Sequence, residues 1–571
     1  MIRLSAAAAL LSASLAAQTI ATPPPPAPPV VQSQTTGATP EHGTTLSGPA
    51  AFSISGVVLS ATTGTPLDRA EVTLSTPGQF GSPVAEDVTA ENGTFHFDHL
   101  QAGRYHLEGS RRGYITSGYQ EHDGFYTGVV TGANLAASGL RLELLPTAVI
   151  GGTVSDDSGE PIAGAQVRLF REDNRSGEQR IINTRTDTTD DTGTYEFSRV
   201  RAGTFYLVVS ARPWYAFHPR PKTDDNGNPL PPDEQPHSPL DVAYSTTYYE
   251  NGSDSDSATP LQVNAGDHVE ADFSLHAVPA IHIQIRLQPP SEHRGVPMPQ
   301  VMQRVFGTDE YEAAQEMAFG TPGGGMIADL SGIAPGRYVL RQYGSAGEGN
   351  RSASVDLTAN SSAIDFASAG VPGADVNGKI AMANGDKLPE HTRVLLTPAD
   401  GGPSRENTEV AADGSFALHG VAPGSYDVEV FSSTRISILQ MMASGATVQG
   451  NRITVAAQPV LLAATLAHGT TAVNGYAKAG GRGMGGVMIL LVPHDPAARD
   501  LYRRDQSNTD GSFTLNRVIP GDYMLVAIED GWGLDWAQPA AIAPYLARGI
   551  RVRVAGQRSL DLPAAVEVQG R

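Results

Sequence analysis

One phrase recurs along this chain, and it constrains the fold more than any other feature. Asn92-Gly93-Thr94-Phe95-His96-Phe97 runs through Leu100 to Ala102-Gly103-Arg104-Tyr105-His106-Leu107. Gly193-Thr194-Tyr195-Glu196-Phe197 runs through Val200 to Ala202-Gly203-Thr204-Phe205-Tyr206-Leu207. Asp413-Gly414-Ser415-Phe416-Ala417-Leu418 leads to Val421 and Pro423-Gly424-Ser425-Tyr426, and Asp510-Gly511-Ser512-Phe513-Thr514-Leu515 leads to Val518 and Pro520-Gly521-Asp522-Tyr523. In each of these copies the two glycines lie ten residues apart. A further copy, third in chain order, keeps only the second half, Ile333 and Pro335-Gly336-Arg337-Tyr338-Val339-Leu340.

The physical reading is direct. Asn-Gly or Asp-Gly makes a tight turn, because glycine accepts positive φ without a Cβ clash. Phe-x-Phe or Phe-x-Leu then places two apolar side chains on one face of a strand. Pro-Gly or Ala-Gly turns the chain again before Tyr-x-Leu opens a second strand. The phrase predicts a hairpin-like strand pair with aromatic anchors, stamped five times.

Each stamp sits in a larger unit. Gly56-Val57-Val58, Gly64-Thr65-Pro66-Leu67 and Ala70-Glu71-Val72-Thr73-Leu74 precede the first; Gly152-Thr153-Val154, Gly159-Glu160-Pro161-Ile162 and Ala165-Gln166-Val167-Arg168-Leu169 precede the second. A strand, a Gly turn and a last strand follow, as in Leu261-Gln262-Val263, Gly266 and Phe273-Ser274-Leu275. Roughly seven strands per unit are enough for two packed sheets. With 62 glycines, 41 prolines and no long amphipathic helical pattern, the expectation is an all-β chain, a tandem array of about five Ig-like or transthyretin-like β-sandwiches. The expected sandwiches span 51–146, 147–278 with an insertion over 213–245, 279–369 (the degenerate copy), 370–468 and 469–571.

The N-terminal residues read as export machinery. Arg3 precedes an apolar stretch from Ala6 to Ala17, too short to span a bilayer, which predicts a signal peptide over 1–18. A Pro-rich linker over 19–50 follows, and no segment predicts a transmembrane anchor. The expected location is the periplasm, the cell surface or the medium. No cysteine is present, which excludes disulfides, thiolate metal sites and a cysteine nucleophile. A formal charge of −21 with no basic cluster argues against nucleic acid as a partner.

The Gly-x-Val, Gly-x-Pro-Ile/Leu, Ala-x-Val-x-Leu, Asp-Gly-x-Phe and Pro/Ala-Gly-x-Tyr elements resemble the carboxypeptidase regulatory-like domain, a transthyretin-like sandwich found beside some metallocarboxypeptidases. Collagen-adhesin B-type and starch-binding-like domains share that architecture. The resemblance implies a sandwich and no peptidase activity of its own.

No chemistry-bearing motif stands out. Neither His-Glu-x-x-His nor Gly-x-Ser-x-Gly occurs. Gly481-Arg482-Gly483-Met484-Gly485-Gly486 fits a dinucleotide fingerprint, but the apolar run Val487–Val492 after it predicts a strand, not the required helix. No catalytic, cofactor or metal residue is expected. His96, His99 and His106 beside Asp98, and the acidic turns 156–160 and 187–191, read as solvated surface. Lys379 and Lys478 lie where adhesin relatives carry isopeptide-forming lysines. The candidate ligand-contact aromatics are Trp214, Tyr215, Trp532 and Trp536, which either stack on a ligand or plug sandwich ends. The leading functional reading is an exported, non-catalytic scaffold or adhesion-type protein. The second is an array of carbohydrate- or peptide-binding modules with a carbohydrate-binding-like fold. Candidate partners are a polysaccharide or a protein at the cell surface.

Overall fold

The computed structural model describes residues 47–571 except 79–81, 136, 220–221, 223, 225–229, 231–233, 235, 288–297, 313–314, 321–325, 343–350, 359–363, 366–370 and 400–405. The expected signal peptide, nearly all of the expected linker and much of the expected insertion lie outside the described residues. The chain is all-β, with a single α-helix, Pro539–Leu546, among the described residues. Five successive strand sets share one pairing pattern around their opening strands: unit one (47–144), unit two (148–279), unit three (281–372), unit four (374–468) and unit five (471–569).

In each unit the opening strand (Ser47–Ser60, Ala148–Asp156, Ile281–Leu287, Ala374–Met382, Thr471–Ala479) occupies the middle of one sheet. The first half of the stamp pairs with it antiparallel, and a strand from the end of the unit pairs with it parallel on the other side. The second half of the stamp belongs to the opposite sheet: Gly203–Ser210 pairs with Gln166–Asp173, Gly336–Gln342 with Gln300–Val305, Gly424–Phe431 with Arg393–Pro398, and Gly521–Ile528 with Met488–Pro493. The stamp is therefore an arch between layers, not a hairpin. In unit one a single strand, Thr94–Ser110, passes from one sheet to the other.

The corner of the arch is not at the second glycine. Four residues earlier, His99, Arg199, Gly332, Gly420 and Arg517 all adopt left-handed backbone, with φ of 57°, 55°, 76°, 69° and 56°. In units two to five the aromatic ring two residues on lies against the second glycine instead, 3.2–3.7 Å from where a Cβ would stand. That ring's hydroxyl donates back to the carbonyl four residues before it: Tyr105 to Gln101 at 3.0 Å, Tyr338 to Ala334 at 2.8 Å, Tyr426 to Ala422 at 2.7 Å and Tyr523 to Ile519 at 2.9 Å. This tyrosine corner ties the turn to the strand it launches. Unit two has Phe205 at this position and no such bond.

A second device links the opening strand to the stamp. Gly56, Gly152, Gly378 and Gly475 sit directly opposite Phe95, Tyr195, Phe416 and Phe513. Each glycine leaves the space that the ring or a neighbouring backbone fills; a Cβ on Gly56 would stand 2.7 Å from the Phe95 ring, and one on Gly475 2.6 Å from the Phe513 ring. Unit three exchanges the sizes. Ile285 stands opposite Ala328, both fully buried, so large and small have changed strands. Its sequence looks degenerate because the same volume is supplied from the other side.

The units fold back on one another rather than standing as separate beads. Units two and three share an apolar seam of Phe170, Val208, Tyr248 and Val305 with Phe306 packed against it. Unit five docks on unit one through fully buried Gln506, whose amide donates to Gln120 O at 2.5 Å and Thr127 Oγ1 at 2.8 Å. The amide of Thr509 and the amide of Val130 add bonds of 3.0 Å to Gly128 O and Thr509 Oγ1. Units two, four and five meet at an ionic knot. Glu178 pairs with Arg180 at 3.2 Å, Arg452 at 3.5 Å and Arg499, while Asp427 takes Arg452 in two bonds of 2.7 and 3.0 Å.

Two outcomes follow from these contacts. Phe416→Ala is expected to destabilise unit four by roughly 3–5 kcal/mol. Gly378→Ala should cost less in that background than in the parent, by about 1 kcal/mol or more, because the ring it collides with is gone. Urea titration followed by hydrogen exchange in the strands of unit four measures both; strict additivity would contradict the proposed seat. The hydrogen bond from Arg499 is the largest influence on the Glu178 carboxyl; partial burial opposes it, and Arg180 and Arg452 add to it, leaving a pKa of about 2 instead of 4.5. A depressed carboxylate stabilises the folded state fully above its unfolded value and loses that contribution as pH falls through its folded value. Small-angle scattering should therefore show the docked units loosening between about pH 4.5 and 2, with Glu178→Gln loosened already at neutrality and changing less across that window.

Candidate functional site

The sequence-predicted aromatics separate into two environments. Trp532 is only 8% exposed, and Trp536 is half-buried beside it. The Trp532 ring lies parallel to His122 of unit one at 5.2 Å, its Nε1 donates to Gly486 O at 3.3 Å, and its carbonyl accepts from Asn174 of unit two at 3.0 Å. Arg504 covers the group, with its guanidinium 4.6 Å from the Trp536 ring and 5.1 Å from Phe125. These two tryptophans are thus not exposed together in a groove; they are walled in where units one, two and five meet. Trp214 is the opposite case, 77% exposed with its edge on half-buried Tyr215, and Phe217 beside it is 60% exposed.

The other singled-out residues are dispersed. His96 and Asp98 form an exposed pair at 2.8 Å, His99 occupies the arch corner, and His106 points inward against the Tyr126 ring. Burial, helped by Arg104, holds the His106 pKa down at about 4. Asp156 and Asp190 accept from amides and hydroxyls of their own turns, Ser158 and Glu160 for the first, Thr192 and Thr194 for the second. Lys379 is exposed and Lys478 half-buried. The glycine run at 481–486 leads into the strand Met488–Pro493, as the pattern predicts.

A cluster that the sequence reading missed lies at the base of the unit-two insertion. The amide of Phe217 donates to Leu240 O at 2.9 Å, which sets His218 beside Asp241. The amide of Ala280 donates to Asp241 O at 2.9 Å, and Val242–Tyr244 pairs with Ala277–Pro279, which brings the opening strand of unit three alongside. Asp241 then bridges two imidazoles: Oδ1 lies 2.8 Å from His218 Nδ1 and Oδ2 lies 2.6 Å from His282 Nε2. Asp329, almost fully buried, stands 3.9 Å from His282 Nδ1. Burial pushes the Asp329 carboxyl up to about 6, against the pull of His282. For Asp241, burial acts to raise the pKa, but hydrogen bonds from His282 and His218 outweigh it and the value falls below the ordinary one. For His282, burial acts to lower the value, and Asp241 and Asp329 reverse this. Their sequence separations of 23 and 41 residues hid this convergence.

No curated protein matches the chain. Among solved structures, it is similar to the Bacillus anthracis TIE protein at 12% identity over 55% of this chain, spanning about half (49%) of that protein's length, with a TM-score of 0.16. A streptococcal ancillary pilin matches at 10% identity over 55% of this chain and 98% of its own, TM-score 0.19. GBS52, the minor pilin of Streptococcus agalactiae, matches at 14% identity over 43% of this chain and 100% of its own, TM-score 0.18. The family model for the carboxypeptidase regulatory-like domain matches residues 53–134 and 149–220, the segments that carry the first two copies of the stamp and its tight turn, corner and aromatic seat. Over those two segments the chain matches the carboxypeptidase regulatory-like domain.

Proposed function

We propose that this protein is an exported, non-catalytic scaffold or adhesion-type protein of the periplasm or cell surface. In this reading it is built from five β-sandwiches over 51–146, 147–278, 279–369, 370–468 and 469–571. The observation that carries the proposal is the use made of the polar and aromatic groups at the seams. The Glu178 knot, buried Gln506 and the Trp532 cluster each join one unit to another. Buried polar networks of this kind specify a geometry more than they add strength. A set of sandwiches held at fixed angles presents its loops in a defined arrangement, which is what a scaffold requires.

A second reading, recognition of a polysaccharide or peptide, is favoured by one loop. Trp214 and Phe217 project into solvent from a base closed by the Phe217–Leu240 hydrogen bond. Exposed flat rings on an anchored loop are suited to stacking against sugars or peptide side chains.

Cell fractionation is expected to recover the native protein outside the cytoplasm with its N-terminus removed near residue 18. Cytoplasmic recovery with Met1 retained would overturn the export reading. On glycan and peptide arrays, any ligand that depends on the aromatic loop should lose roughly tenfold or more in affinity on Trp214→Ala, the cost of about 1.4 kcal/mol of stacking. Trp532→Ala should loosen the seam between units one and five and leave that binding in place.

A further inference from the structure

The convergence of His218, Asp241 and His282 joins the unit-two insertion to unit three with donors that are more than an ordinary hydrogen-bonded clip needs. We infer that these three residues form a binding site for a divalent first-row transition cation of the zinc class, with Asp329 orienting His282 from behind. This inference stands apart from the scaffold reading and does not depend on it.

The donor chemistry selects the ion. Two imidazole nitrogens and one carboxylate oxygen suit zinc and its neighbours, whereas calcium and magnesium favour all-oxygen shells. The three donor atoms lie within 4.8 Å of one another. Zinc bonds nitrogen and oxygen at roughly 2.0–2.2 Å, so its donors must sit about 3–3.5 Å apart. The imidazole nitrogens now stand 2.8 and 2.6 Å from the two Asp241 oxygens, so seating an ion requires the carboxylate to draw back and both rings to close on one point. Three protein ligands leave one position for water, and side-chain exposures of 14%, 13% and 26% for His218, Asp241 and His282 leave a path for the ion to enter.

Each donor is also held in place. His218 packs on Gly332, where a Cβ would stand 2.6 Å from its Nε2, so any side chain at that corner would displace the ring. Asp241 is fixed through its own carbonyl by Ala280, and His282 lies on a sheet strand. Nε2 of His282 now gives its hydrogen to Asp241; once an ion takes that place, the proton left on Nδ1 faces Asp329, 3.9 Å away, the usual arrangement behind a metal-bound histidine. Bound metal would fasten the loop carrying Trp214 and Phe217 to unit three.

The test uses the full chain, stripped with a chelator and dialysed against micromolar Zn2+. One tightly held Zn2+ per chain is expected, lost in His218→Gln and in His282→Gln. Asp329→Asn should keep the stoichiometry and weaken affinity roughly 10- to 100-fold, which a hydrogen-bonded clip alone would not do. Added Zn2+ should raise the thermal midpoint of the parent and leave that of either glutamine variant unmoved. The Co2+ form of the parent, which needs no variant to fold, should show the strong visible absorption of four-coordinate cobalt. A parent chain that holds no more Zn2+ than the His218→Gln/His282→Gln double variant, or a Co2+ form without that absorption, would overturn the site and leave a hydrogen-bonded clip.

Discussion

The aromatic ring laid across a neighbouring glycine is the contact on which each sandwich depends. A strand slipped by one residue turns its side chains to the opposite face. With Phe416 facing Gly378, such a slip would move the ring to the outer face and set a side chain against it from the neighbouring position. The same glycine lets the parallel closing strand approach: a Cβ on Gly56 would meet the Leu140 carbonyl, and one on Gly378 the Leu462 carbonyl. One small residue thus sets the register on both sides of the opening strand. Unit three shows that the rule concerns volume rather than residue type, since Ile285 against Ala328 fills the same place with large and small exchanged.

Once the layers are set, the arch decides how the rest of the unit closes. A left-handed residue at the corner sends the chain across the core instead of back along the same sheet, and the tyrosine hydroxyl then fixes where the next strand begins. In three units the corner carries histidine or arginine, although left-handed backbone costs a non-glycine residue about 1–2 kcal/mol. That strain persists because both flanking strands are already committed to their sheets.

The sequence carried the parts of this design that repeat at a fixed spacing. Turn glycines, inward alternation and the Tyr-x-Leu strand were legible because turn chemistry and a period of two are local properties. The arch was not, since alternation is the same whether the next strand joins the same sheet or the opposite one. The placement of Trp532 was equally hidden: its neighbours His122 and Asn174 come from units one and two, more than 350 residues away for Asn174. The His218, Asp241 and His282 cluster was missed for a related reason. Its members share no spacing with any motif, and two of them lie in a segment that read as a plain polar insertion.

That insertion is where the repeat departs from itself, and the departure falls at an equivalent point of the fold. The corner holds His99, Arg199 or Arg517 in three units and glycine in the other two, Gly332 in unit three and Gly420 in unit four. Glycine is not needed there for the backbone alone, because larger residues hold the same φ elsewhere. What it supplies is an open face, and the His218 ring from unit two rests on it. The small residue that in one place admits a ring from an adjacent strand here admits a ring from an adjacent domain, so the means of building a single sandwich also serves to join two.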